Sequence, residues 1–259
     1  MFFVDVQGTL IDDEKRLPIN GALDFIARLN REKTPYMIIT NNTKQSSEAF
    51  RDYLNKLGFA IDEAHYLDPL MLLSSKIEEG SRIAAYGSEP FLKELARLGY
   101  RLDYTRPESV VIGIKQHFES EEYAQMIGFL LEGAKLVGMH QSTLYAKEGK
   151  RYPGVGAILK MLSFATSADY EVVGKPSELF YLRALEKLQM QEKEASFDKI
   201  TIISDDVKGD LVGAGVLGMR TVFVLSGKYK KAEEIIPMLE SSEQPALICS
   251  DMMEVGEKV

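Results

Sequence analysis

FFVDVQGTL, residues 2–10, is the stretch on which the reading of this chain turns. Three apolar residues make a short β-run that ends on a carboxylate, Asp5, and Gly8 allows tight backbone close to whatever Asp5 holds. Next, Ala22, Phe25, Ile26 and Leu29 fall at i, i+3, i+4 and i+7, which predicts a helix over 20–31. YMIIT (36–40), entered by Pro35, is the second strand. Phe50, Tyr53, Leu54 and Leu57 form the face of a second helix, with Thr43 as its expected cap and Gly58 as its stop. Strand, helix, strand, helix predicts a parallel sheet covered on both faces.

The alternation continues through RIAAYG (82–87), helix 89–98, SVVIGI (109–114), helix 120–133 and KLVGMH (135–140). A polar turn, STLYAKEGKRYPG, leads to helix 154–165, YEVVGK (170–175), helix 177–189 and KITIISDD (199–206). Helix 208–217, RTVFVLSG (220–227) and ALICS (246–250) close the series. The expected fold is therefore a doubly wound, Rossmann-like α/β sheet.

The chain has 259 residues, more than one typical domain of about 150. Its 45% hydrophobic and 27% charged residues exclude disorder. Thirty-nine acids against thirty-one bases leave −8, which disfavours a nucleic-acid backbone as partner. No run approaches the ~18 apolar residues of a membrane span, and MFFVDVQG lacks the pattern of a signal peptide. The lone Cys249 can make no internal disulfide and reads as a small core residue, so the expected compartment is a reducing cytoplasm. His65, His117 and His140 lack metal-ligand spacing.

Ligands of open parallel sheets bind beyond the carboxyl ends of the strands, so polar residues there carry the functional signal. Asp5 is the first. Thr40, followed by Asn41 and Asn42, ends the second strand, and amides just before a helix favour an anion, phosphate above all. Lys175, between Gly174 and Pro176, suits the start of a helix and can neutralise an oxyanion. Asp205, Asp206 and Asp210 crowd one turn after a β-run, where they repel one another unless a cation sits among them. Mg²⁺ prefers one or two carboxylates with phosphate and water. Each signal alone has a bland reading: a strand-end turn, a plain N-cap, a solvated lysine, an acidic helix start. Together they describe one phosphoryl site.

This order resembles the haloacid dehalogenase superfamily of aspartate-nucleophile phosphotransferases. The D-x-D-G-T motif stands here as Asp5-Val6-Gln7-Gly8-Thr9, the second-motif hydroxyl as Thr40, the third-motif lysine as Lys175, and G-D-x-x-x-x-D as Ser204-Asp205 through Asp210. ITNN, VVGKPS and GMRTVFVLSGK look like the nitrophenyl-phosphatase and pyridoxal-phosphatase branch (NagD type). The resemblance implies a core over 1–78 and 172–259, with an α/β cap inserted at 79–171. It implies Asp5 as nucleophile, with Mg²⁺ held by Asp5, the Gln7 carbonyl and Asp205. Asp210, then Asp206, would be the outer carboxylates. Thr40, Asn41 and Lys175 would bind phosphate, and Tyr152 and Gly154, in the cap loop KEGKRYPGVGA, would meet the leaving group. The implied partner is a small phosphorylated substrate, and a homodimer is left open. A receiver-type signalling domain also uses Asp, Thr and Lys around Mg²⁺, but its acidic pair precedes its phosphorylated Asp and it has no room for a cap.

One departure matters. The family's general acid and base is the second Asp of the first motif, and here that residue is Gln7. An amide has no usable pKa, and loss of a general acid/base typically costs ~10²–10⁴ in rate. Transport ATPases (Thr) and phosphonatases (Ala) tolerate other residues there. Gln7 thus leaves three readings: a phosphatase for esters whose leaving group needs little protonation, a nearly inert phosphoryl-binding relative, or an introduced change. Ser204 in place of the family's Gly implies a slightly altered loop.

Overall fold

Phe2–Val4 is an inner strand of a six-stranded, all-parallel sheet. Across the sheet the order is Leu247–Cys249, Arg220–Val224, Thr201–Ser204, Phe2–Val4, Tyr36–Ile39 and Tyr66–Leu67. The computed structural model describes residues 1–147 and 150–259. The chain forms two compact units: Met1–Thr40 with Phe50–Leu67 and Tyr181–Val259, and Asn41–Ala49 with Asp68–Phe180.

In the first unit the strand sequence runs outward from Phe2–Val4 in one direction and restarts beside it at Thr201–Ser204 in the other. This is the doubly wound order, and its reversal point is where ligands of such sheets bind. Val4 pairs with both Ile38 and Ile203, so Asp5 begins just past the carboxyl rim. Helix Ala22–Glu32 buries Ala22, Phe25, Ile26 and Leu29, the four residues read from its periodicity. A C-terminal helix, Met252–Lys258, was not foreseen; Asp251 caps it, and Arg28 donates to the carbonyls of Gly256 and Val259.

The second unit has its own parallel sheet, ordered Tyr170–Val172, Lys135–Gly138, Ser109–Ile112, Arg82–Tyr86 and Arg101–Leu102. Ala84, Val110, Ile112, Met126, Leu136 and Leu159 fill its core. The stretch read as a polar turn is instead an antiparallel hairpin, Leu144–Lys147 with Lys150–Pro153, in which the Tyr145 and Tyr152 rings stack at 5.4 Å. Neither four-residue strand, LYAK or KRYP, holds an apolar run of four residues to read. Residues 148 and 149 of the expected cap loop lie outside the described residues.

The unit borders fall wider than the expected insert 79–171. Asp68 accepts from Ser47 Oγ at 2.8 Å and caps the turn Pro69–Ser75, Tyr100 donates to the Ile77 carbonyl, and the Val173 and Gly174 N–H groups donate to the Gly138 and Met139 carbonyls. These bonds tie 68–78 and 173–180 to the second unit. The helix after the second strand begins at Ser47, and Ser46 Oγ accepts from the Ala49 N–H, so Ser46, not Thr43, caps it. The Thr43 hydroxyl is buried without a hydrogen-bond partner. Among the described residues no helix is long and apolar enough to cross a membrane.

His65 stacks on Tyr36 with centroids 4.5 Å apart, and its Nδ1 is buried without a partner. Burial lowers its pKa, against Asp62 and with Lys187. The neutral ring is therefore favoured in the folded state, and its contribution is present above the unfolded value of about 6.5 and lost as pH falls through the folded one. Urea denaturation should show a smaller stability loss from neutral to mildly acidic pH for His65→Phe than for wild type. Equal losses would remove His65 from the pH response.

Candidate active site

Asp5, Gln7 and Gly8 leave the central strand in a tight turn in which the N–H groups of Leu10 and Ile11 donate to the Val6 carbonyl. The Asp5 N–H still donates to the Ile203 carbonyl, continuing the ladder beyond the strand. The Asp5 carboxylate is 5% exposed, and Thr9 Oγ1 donates to it at 3.4 Å. The same Thr9 oxygen accepts from the Asp205 N–H at 3.1 Å, so one hydroxyl bridges the two strand ends on either side of the reversal point.

Asp205 is also 5% exposed, and its Oδ2 accepts from the Lys228 N–H at 2.6 Å. Burial first, then the charges of Asp5, Asp13 and Asp206, hold its pKa well above the ordinary carboxylate value. Two glycines make room for it. Gly8 has φ +75°, and a Cβ there would lie 2.2 Å from Asp205 Oδ2; a Cβ on Gly227 would lie 2.0 Å from the same oxygen. Ser226 Oγ donates to the Gly8 carbonyl at 2.7 Å, fixing these loops together.

Asp206 caps the turn Val207–Leu211 by accepting from the Gly209 N–H, and Lys228 Nζ donates to its other oxygen at 2.9 Å. Burial opposes the charge on Lys228, but Asp206, by charge and hydrogen bond, with Tyr229 and Asp205, holds its pKa above the ordinary lysine value. Asp210 is 4% exposed; Ser204 Oγ donates to its Oδ2 at 2.6 Å, and Tyr181 donates to its carbonyl.

Thr40 Oγ1 donates to Gln7 Oε1 at 2.8 Å, so these two expected site residues meet. Asn41, expected at the phosphate, meets the backbone of Lys175. Its Oδ1 accepts from the Lys175 N–H at 2.9 Å and its Nδ2 donates to the Lys175 carbonyl at 3.4 Å, which clamps the lysine's backbone. With the helix starting at Ser47, Asn41 and Asn42 do not sit at its N-terminus, so the helix-dipole argument for an anion there fails. Lys175 is 1% exposed. Pro176 precedes rather than opens its helix, and Ser177 Oγ accepts from the Phe180 N–H. Gly154 roots the hairpin: its N–H donates to the Thr143 carbonyl, and a Cβ would lie 2.2 Å from the Ser142 carbonyl. Tyr152 is half-buried against Tyr145.

A model described as haloacid dehalogenase-like hydrolase matches residues 2–101, and one described as HAD-hydrolase-like matches 172–255. Haloacid dehalogenase-like hydrolase domain-containing protein 2 of Mus musculus is 31% identical over 233 residues, 89% of this chain and 86% of that protein. The chain belongs to the haloacid dehalogenase-like hydrolases. Phospholysine phosphohistidine inorganic pyrophosphate phosphatase of Homo sapiens is 28% identical over 248 residues, 92% of this chain and 87% of that one. Among solved structures, p-nitrophenyl phosphatase from Archaeoglobus fulgidus superposes with a TM-score of 0.83 at 22% identity, covering 100% of this chain and 98% of that one. A glycerol phosphate phosphatase from Mycobacterium tuberculosis, solved with magnesium, superposes at 0.76 and 23% identity over 98% of this chain and 75% of that one. The fold is that of the NagD-type members.

The haloacid dehalogenase-like frame shows what residue-by-residue reading missed. Thr9 stood in the first motif without a role, and here it links Asp5 to Asp205. Ser204, expected to alter the loop slightly, adds a hydroxyl that holds Asp210 and accepts from the Asp206 N–H at 3.1 Å. Lys228 sat in the quoted LSGK stretch, but its two bonds to neighbouring aspartates have no local sequence signal.

A divalent cation fits this set. Two buried carboxylates that raise each other's cost of ionisation, beside backbone carbonyls and glycine-lined space, are hard oxygen donors of the kind Mg²⁺ takes. Among the described residues no group of three or more His, Cys, Asp or Glu forms an ion site, so the fit rests on two carboxylates and carbonyl oxygen. Gly8→Ala should therefore abolish any Mg²⁺-induced rise in Tm and destabilise the chain by more than about 1 kcal/mol, since the methyl meets Asp205 in a left-handed conformation. An unchanged Mg²⁺ response in a thermal melt would separate Gly8 from the metal.

Proposed function

We propose that the chain is a Mg²⁺-dependent phosphatase that hydrolyses a small phosphorylated metabolite through an aspartyl phosphate on Asp5. The observation that carries this reading is the pairing of Asp5 and Asp205, buried beside each other and joined by Thr9 at the point where the strand order reverses. The Asp5 carboxylate attacks phosphorus, and the leaving oxygen departs with its electron pair. Asp205, Asp5 and the Gln7 carbonyl would hold the cation, which when bound offsets phosphoryl charge. Asp206 and Asp210 keep the Asp205 turn in shape. Lys175, its backbone clamped by Asn41, supplies a fixed positive charge to the phosphate, and Tyr152 with Gly154 shape the leaving-group side.

Gln7 sets the substrate class. Its amide can donate or accept a hydrogen bond but transfers no proton at neutral pH. Alkyl phosphates should therefore turn over slowly, and acyl, enol, aryl or phosphoramidate groups faster. The human relative named for phospholysine and phosphohistidine is consistent with N–P substrates. A second reading, a nearly inert phosphoryl and Mg²⁺ binder, draws on the Thr40–Gln7 bond, which occupies two side chains with each other. Acidic net charge and a single buried cysteine support a cytoplasmic enzyme without a nucleic-acid partner; a homodimer is part of neither reading.

Thermal melts with Mg²⁺ test the metal. A hundredfold excess over Kd should stabilise by roughly 2.7 kcal/mol, which raises Tm by about 5 °C or more in a chain this long. Asp205→Asn should erase that rise. A wild-type melt that ignores Mg²⁺ would contradict both readings.

A further inference from the structure

Strand Arg220–Val224 pairs in parallel with Thr201–Ser204, Phe223 opposite Ser204, so the loops that leave their carboxyl ends run side by side. One loop carries Asp205 and Asp206, and the other carries Lys228. Lys228 reaches both acids with different groups. Its N–H donates to Asp205 Oδ2 at 2.6 Å, and its Nζ donates to Asp206 Oδ2 at 2.9 Å. The loop that presents it is itself fixed. The Leu225 N–H donates to the Cys249 carbonyl, Ser226 Oγ to the Gly8 carbonyl, and Lys230 Nζ to the Ser226 carbonyl.

These bonds divide the acids. Hydrogen bonds to the Asp205 side chain engage Oδ2 alone. Asp206, its neighbour in the chain, has both oxygens engaged, Oδ1 by the Gly209 N–H at 2.9 Å and Oδ2 by Lys228. Asp210 takes Ser204 Oγ on its Oδ2. Asp206 nevertheless acts on Asp205 through its charge, as Asp5 and Asp13 do. Without the ammonium, Asp206 would be a further carboxylate adjoining the pair Asp5 and Asp205. The number of carboxylates decides between hard cations. Mg²⁺ is held by one or two of them with water and phosphate in octahedral geometry, whereas Ca²⁺ takes ~6–8 oxygens in a flexible shell and tightens as ligand charge is added.

We propose that Lys228 sets the choice of Mg²⁺ over Ca²⁺ by holding Asp206 out of the ion site, a proposal that rests on the cation site of the phosphatase reading. The backbone N–H of residue 228 holds Asp205 whatever side chain stands there. The side chain alone carries the selection, so the two roles separate by mutation. Lysine suits the task, since its ammonium is a compact point charge on a flexible stem. The side chains of Lys228 and Asp206 are 22% and 21% exposed, so water reaches the pair and its loss should leave the fold standing.

The test is the affinity of the metal-free full chain for Mg²⁺ and for Ca²⁺, each alone, measured by calorimetric titration and by the rise in Tm. In Lys228→Met the ratio of Ca²⁺ to Mg²⁺ affinity should rise about 5-fold or more, because loss of the ammonium favours both ions and the released carboxylate favours Ca²⁺ further. Lys228→Arg keeps the charge and a donor and should keep the wild-type ratio. The double variant Lys228→Met with Asp206→Asn has no carboxylate to release and should return to that ratio. Lys228→Gln, neutral but still able to donate to Asp206, carries the same comparison if the Met variant does not fold, with a smaller rise. Equal gains for both ions in Lys228→Met would reduce the lysine to a nearby charge. A ratio that rises as far in the double variant would exclude Asp206, and losses for both ions would make the lysine structural. Each of these overturns the proposal while wild-type binding of Mg²⁺ leaves the phosphatase reading intact. A wild-type chain that binds neither ion overturns both.

Discussion

Asp5→Asn is expected to lower hydrolysis of p-nitrophenyl phosphate by at least about 10³-fold while leaving the fold intact, the pattern of a lost nucleophile. The two side chains have nearly the same shape, and Asn can still accept from Thr9 Oγ1. The substitution removes the neighbouring charge that helps hold the Asp205 pKa up, so the metal-free Tm should hold or rise. Loss of activity with equal or greater stability is a combination that a damaged fold cannot produce. Steady-state rates and thermal melts of both proteins, measured without Mg²⁺ for the melts, check it.

Gln7→Asp is expected to act in the opposite direction. A carboxylate at this position can protonate a leaving oxygen and then deprotonate water, neither of which the amide does. Turnover of p-nitrophenyl phosphate should rise about 10-fold or more, and that of an alkyl phosphate more steeply, since its leaving group needs the proton. Wild type should release nitrophenol in a burst followed by slow turnover, because attack on the ester needs little acid while hydrolysis of the acyl phosphate needs a base. Asp is one methylene shorter than Gln, so the bond from Thr40 to residue 7 lengthens or breaks. Unchanged rates on both esters, with Asp5→Asn inactive, would show that residue 7 is not the missing acid and base.

Strand ends were the most legible part of this molecule. Asp5, Thr40 and Asp205 each terminate an apolar β-run, and the structure sets all three just past the carboxyl rim of one sheet. The helix over Ala22–Glu32 followed from its apolar spacing, because burial of one face dictates that period. Features made by contacts distant in sequence were not legible. The Asp205–Lys228 and Thr9–Asp205 bonds join residues 23 and 196 apart. The bond from the Lys175 N–H to Asn41 Oδ1 joins residues 134 apart, and the helix that two amides announced starts only at Ser47. Strands Leu144–Lys147 and Lys150–Pro153 were read as a turn because neither sequence is a continuous apolar run. The borders of the second unit depend on hydrogen bonds such as Ser47–Asp68, which no local pattern announces.

The central claim is phosphoryl transfer through Asp5, and one measurement addresses it directly: acid quenching of the wild-type chain during turnover of p-nitrophenyl phosphate with Mg²⁺, followed by mass spectrometry of the peptide carrying Asp5. The account predicts phosphate on Asp5 in a large fraction of molecules, a much smaller fraction in Gln7→Asp, and none in Asp5→Asn. Rapid turnover with no phosphorylated Asp5 at any quench time, together with an active Asp5→Asn, would contradict it.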